Sequence, residues 1–103
     1  MRRYRNLKMA SLIRDELSLI LLKEFEFPAL VTIINVNIDS DFKLAKVRIK
    51  ITPKNLKMNL INQKKIEIEV LRELNGNKER LFKILLKKLN LKPLPKIAFE
   101  IES

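Results

Sequence analysis

An α+β architecture, with a three-stranded sheet packed on helices, is what this sequence predicts. Three observations carry the prediction. Apolar residues recur at helical spacing over the first 25 positions. Two runs of alternating apolar and polar residues follow, joined by a polar turn, and a second helical stretch then gives way to a short alternating tail. At 103 residues the chain has the size of one small domain, residues 1–103, and its 47% hydrophobic content is enough for one core.

The elements follow in order. From Tyr4 to Phe25, the residues Met9, Ile13, Leu17, Ile20 and Leu21 form one apolar stripe, and Pro28 stops the helix because its ring and missing N–H cannot continue one. Val31 to Asp39 reads as a strand, with Ile34, Val36 and Ile38 on one face and Asn35, Asn37 and Asp39 on the other. Asp39-Ser40-Asp41 is turn chemistry, because short polar side chains bond the local backbone. From Ala45 to Ile51 alternation returns, with Ala45, Val47, Ile49 and Ile51 inward and Lys46, Arg48 and Lys50 outward, so the two strands predict an antiparallel hairpin.

Pro53 breaks the second strand, and residues 53–65 read as a polar, basic connection. Ile66, Ile68 and Val70 alternate like a strand, while Ile66, Val70, Leu71 and Leu74 fit a helix. The helix is preferred because Leu71 and Leu74 extend only its pattern. Asn75-Gly76-Asn77 is a break, with Gly76 placed as a helix terminator. A helix resumes at Lys78, with Leu81, Phe82, Leu85 and Leu89 inward and Arg80, Lys83 and Lys87 on the opposite side. Pro93 and Pro95 end it, and Lys96 to Glu102 closes the chain as a third strand. The order is helix, strand, strand, helix, helix, strand, without internal repeat or low-complexity tract.

Composition excludes several chemistries. The chain has no cysteine and no histidine, which removes disulfides, thiolate nucleophiles, thiolate or imidazole metal sites and imidazole acid–base catalysis. Its single glycine leaves no glycine-rich phosphate loop. The basic, then apolar opening is interrupted by Asp15 and Glu16, and no segment reaches the roughly 20 apolar residues of a membrane span. A soluble, cytoplasmic, monomeric protein without cofactor or metal is expected.

Charge points to a partner. There are 22 Lys and Arg against 12 Asp and Glu, a formal net charge of +10. From Asp41 to Lys65 eight cations face Asp41 alone, and from Gly76 to Lys92 six face Glu79 alone, while the remainder is nearly balanced. Ordinary solubility mixes signs, and like charges at helical spacing repel. A one-sign strand face and a one-sign helix face therefore read as an electrostatic footprint for nucleic-acid phosphates. The candidate RNA-binding residues are Lys43, Lys46, Arg48 and Lys50 on the strand side and Lys78, Arg80, Lys83, Lys87, Lys88 and Lys92 on the helix side. Phe25, Phe27, Phe42, Phe82 and Phe99 sit in apolar patterns and read as core, so shape and phosphate recognition of folded RNA is favoured over base stacking. Asp39 and Asp41 admit a carboxylate-pair or magnesium reading, but turn-stabilising aspartates are commoner and no catalytic residue is assigned.

Together, Leu12 to Phe25, Leu30 to Ile51 and Leu89 to Ile101 resemble the ribosome-binding factor A family of bacterial ribosome-maturation proteins. The most specific parts are Val31-Thr32, the Asp39-Ser40-Asp41 turn, Ala45-Lys46-Val47, and Pro95 with Phe99. The resemblance spans about residues 5–102. It implies a type II KH-like fold in the element order just read. It also implies non-catalytic binding to the small ribosomal subunit through its rRNA, a part in late maturation and rRNA processing, and importance for growth in the cold. The family's Ala-x-Gly helix interruption falls on Asn77-Lys78-Glu79, so the family glycine is missing here, an arginine usual just beyond is Phe82, and Gly76 stands as the alternative carrier of the kink. No GxxG exists for a KH clamp on single-stranded bases. The rival readings are a KH-like regulator that binds other RNA or DNA, and a peripheral membrane protein using the first helix as an anchor.

Overall fold

Residues 5–24 fold as the sequence spacing requires. In the computed structural model, which describes residues 2–54, 59–90 and 93–102, helix α1 runs Arg2–Glu24 and its stripe Met9, Ile13, Leu17, Ile20 and Leu21 is buried. Ile13 and Leu17 are among the most deeply buried side chains, each worth about 1.5–3 kcal/mol on leaving water. The helix stops at Glu24, ahead of Pro28, and Phe25 and Phe27 stack with ring centroids 5.4 Å apart.

Strand β1 spans Ala29–Ile38 and pairs antiparallel with β2, Leu44–Pro53. Pro53 is the last paired residue of β2, opposite Ala29, a position where its missing N–H is tolerated. The inward residues of β2 are those the alternation predicts: Ala45, Val47 and Ile49 are wholly buried and Ile51 nearly so. β1 departs from prediction. Its register steps from Ile33↔Ile49 to Asn35↔Arg48, so Ile34 is an extra residue in a β-bulge and is exposed, not inward beside Val36 and Ile38. The inner face is Ala29, Val31 and Ile33 before the bulge and Val36 and Ile38 after it. Two alternations out of phase by one residue are thereby joined.

Asp39 closes the β1–β2 turn. Its Oδ1 accepts from the backbone N–H groups of Lys43 at 2.8 Å and Leu44 at 3.1 Å, and Phe42 takes a left-handed φ of 60°. α1 holds this end of the sheet: Asn6 Nδ2 donates to the Asp39 carbonyl at 3.0 Å, and the Arg5 guanidinium lies 5.9 Å from the Phe42 ring centroid.

Helix α2 runs Leu60–Gly76 and α3 runs Lys78–Leu89. α2 begins within the stretch read as a connection, because the Asn59 side chain caps it by accepting from Asn62 N at 2.9 Å. The interruption lies at Asn77, not Gly76. Gly76 is the last helical residue and has no positive φ, whereas Asn77 Nδ2 donates to the Glu73 carbonyl at 2.8 Å and Asn77 N to the Leu74 carbonyl at 3.2 Å. An amide side chain thus satisfies a carbonyl freed by the break. α3 ends in a left-handed Asn90 whose N–H donates to Leu86 O at 2.9 Å.

β3, Lys96–Ile101, pairs parallel with β2, giving the order β1-β2-β3 with β2 central. A parallel pair needs a long crossover, which α2 and α3 supply. Leu17, Val47, Ile49, Val70, Leu74 and Leu81 are wholly buried in one cluster between the helices and one face of the sheet. Among the described residues no charged or polar side chain is buried there, and no helix is long and apolar enough to cross a membrane.

Candidate nucleic-acid interface

The sheet has one face on the core and one in solvent, and β2 loads the second with charge. Lys46, Arg48 and Lys50 are all exposed, spaced about 7 Å apart along the strand by its geometry. Their cross-strand neighbours on β1 are Asn37, Asn35 and Thr32 respectively. On β3 they are Ala98 beside Lys46 and Glu100 beside Arg48. Like charges directly across a ladder destabilise it, and uncharged β1 partners avoid that cost. The only ion pairs among the described residues are Arg14–Asp15 and Arg80–Glu24, so the β2 stripe is not neutralised by a salt bridge. Lys43 is exposed at the neighbouring turn.

The α3 cations divide. Lys83 and Lys87 are exposed on the side away from buried Leu81 and Leu85, whereas Lys88, exposed in the last turn, falls by periodicity on the same side as those leucines. Lys78 is half-buried and lines a recess with Phe82, Leu94, Lys96 and Ile97. Arg80 pairs with Glu24 Oε2 at 3.0 Å while its guanidinium sits 5.7 Å from the Phe25 ring centroid, so it ties α3 to the end of α1. Lys92 lies outside the described residues, as does Lys57.

These cations do not form one surface. β2's inner residues and α3's Leu81 and Leu85 share one core, so the strand stripe and the outer side of α3 point away from that core in opposing directions. A third group is formed by two cations that the sequence reading counts within the basic segment ending at Lys65 and one, Arg72, that it leaves out. Their common helical face goes unread there. Lys64, Lys65 and Arg72 are exposed on α2, where the overlooked signal was Asn59 as a cap followed by Ile61 and Ile68 at helical spacing.

The aspartates of the turn serve the backbone. The N–H groups of Leu44 and then Lys43 hold the Asp39 carboxyl below its ordinary range. Among the described residues no group of three or more acidic side chains is placed to hold a metal ion.

Comparison with known proteins bears on the whole chain. The family model for ribosome-binding factor A matches residues 5–103. The chain belongs to the ribosome-binding factor A family. The crystal structure of ribosome-binding factor A from Thermus thermophilus superposes with a TM-score of 0.67 at 18% identity, covering 93% of this chain and 94% of that one. A homology model of the Thermus thermophilus ribosome-binding factor A, fitted into the cryo-electron-microscopy map of a 30S complex with that factor, gives a TM-score of 0.62 at 17% identity. That match covers 93% of this chain and 89% of the fitted one. Comparison with curated protein sequences finds no match. At these identities the structural likeness speaks for the fold, the type II KH-like α+β arrangement that ribosome-binding factor A shares.

Proposed function

We propose that this chain is a non-catalytic assembly factor that binds the small ribosomal subunit through its rRNA and assists its late maturation, including rRNA processing. It acts as a monomer in the cytoplasm without a cofactor. Membership of a family of ribosome-binding factors supports the reading, as does the description of the Thermus relative as fitted into a 30S complex. The observation that carries the RNA part is the stripe Lys46, Arg48 and Lys50 on the face of the sheet opposite the core, flanked by Asn and Thr. Phosphates met by such a stripe supply affinity and orientation, and the shape of the folded RNA supplies discrimination. Lys43 and the exposed α3 cations Lys83, Lys87 and Lys88 offer further phosphate contacts. Because Lys83 and Lys87 project from the side of α3 away from the core, the RNA or a second segment of it must reach around the domain to meet them.

Co-sedimentation of the purified protein with small subunits, large subunits and free RNA tests this. Selective retention on small subunits, declining as salt rises, is the expected result. Equal retention on every RNA replaces the reading with that of a general KH-like binder of RNA or DNA, and no retention at low salt removes the charge argument altogether.

A further inference from the structure

Helix α2 shows solvent a face that neither the core nor the RNA reading uses. Ile61 and Ile68, one heptad apart, are 69% and 56% exposed, and Leu60 beside them is 70% exposed. By helical periodicity Lys64 falls to one side of this pair and Lys65 and Arg72 to the other, all three exposed. The opposite side of the helix buries Val70 and Leu74. None of the three cations is in an ion pair among the described residues. Glu67 and Glu69 border the face at its two edges, and Glu73 lies further round towards the core.

Two contrasts define what fits here. On β2 the stripe's direct cross-strand neighbours are Asn35, Asn37, Thr32, Ala98 and Glu100, with the bulge residue Ile34 the exposed apolar side chain at its border, so the centre of the stripe is polar. On α2 isoleucine occupies the centre. An isoleucine has no hydrogen bond for a phosphate or a base edge and no flat ring on which a base could stack. Single exposed apolar residues are common, but apolar side chains at heptad spacing flanked directly by unpaired cations, with carboxylates only at the outer edges, are an arrangement that seats a second helix. The charge sets the partner's sign as acidic.

We propose that the outer face of α2 docks a helix of a protein carried by the small subunit, a helix with apolar side chains one heptad apart and carboxylates opposite Lys64, Lys65 and Arg72. The inference rests on the small-subunit reading and divides the labour within it: the sheet stripe holds RNA and α2 holds protein.

Photo-cross-linking tests it. A photoreactive phenylalanine derivative is placed at position 61, 68 or 35 in separate proteins, each is bound to purified small subunits and irradiated, and the conjugates are separated into RNA and protein and the peptides identified. Positions 61 and 68 are expected to capture one acidic, amphipathic helix of a small-subunit protein, and position 35, beside the β2 stripe, to capture RNA. Replacing Ile61 and Ile68 with Gln, or Lys64, Lys65 and Arg72 with Glu, is expected to weaken subunit binding by about tenfold or more. These sites are solvent-exposed, so the melting curve should not move. Binding to subunits with RNA, a basic protein surface or nothing captured from positions 61 and 68 overturns the inference and leaves the functional reading standing. Failure of the unsubstituted protein to sediment with small subunits overturns both.

Discussion

Asp39 does with one carboxylate oxygen what the sequence pattern asks of a turn residue: it accepts from two successive backbone N–H groups, Lys43 and Leu44. Those bonds favour the ionised form and lower its pKa from the ordinary 3.8. A carboxyl whose folded pKa is depressed contributes stability above its unfolded pKa and loses it as pH falls through the folded one. Comparing urea midpoints of the natural protein and Asp39→Ala should therefore show a gap that is full at about pH 6 and closes in acid below about pH 4. A gap independent of pH would show that the charge of Asp39 plays no part. Gly76 behaves differently from its sequence reading. It ends α2 without a positive φ, and a Cβ built on it meets nothing within 4 Å. Gly76→Ala should raise stability by about 0.4–1 kcal/mol through the entropy of the unfolded chain, read from denaturant unfolding. A loss of stability would mean that the break depends on glycine after all. Asn77 carries the break because its side chain can donate to the Glu73 carbonyl, a hydrogen bond no residue spacing announces.

At the scale of elements, β1 and β2 differ in how much of them could be read. β2 keeps strict alternation for its whole buried length, so its inner and outer residues were legible. β1 holds the doublet Ile33-Ile34, where one apolar residue must leave the core face; alternation counted from the C-terminal end places Ile34 inside, and the bulge puts it outside. Register against β2 decides that, because each inner residue must meet an inner partner. The outer residues of β2 yield the prediction at this scale. Replacing Lys46, Arg48 and Lys50 with Gln should leave the thermal midpoint nearly unchanged and weaken small-subunit binding, with the log–log salt slope flattened by roughly two to three. Unchanged affinity in co-sedimentation would remove the strand from the interface. Periodicity alone starts α2 several residues late because its first turns are polar and basic, although Asn59 marks its start.

Over the whole molecule, the cations surround the core instead of gathering on one side. Contact with about six phosphates should give a slope of log affinity against log salt near −4 to −5, measured on small subunits by sedimentation across a salt series. A slope near −1 would reduce the interface to one or two phosphates and leave most of the excess charge without a role. Arg80 should contribute little to that slope, since Glu24 already pairs it in binding α3 to α1.

Local pattern was sufficient for the element order, the α1 stripe, the inner face of β2 and the cation stripe, because side-chain periodicities of 3.6 and 2 depend only on backbone geometry within one element. The opposed placement of the strand and α3 cations, the engagement of Arg80 by Glu24 and Phe25, the bulge at Ile34 and the exposed face of α2 all needed the packed chain. Each depends on which elements meet across the core. That is settled by contacts between residues far apart in sequence, 56 positions in the case of Arg80 and Glu24.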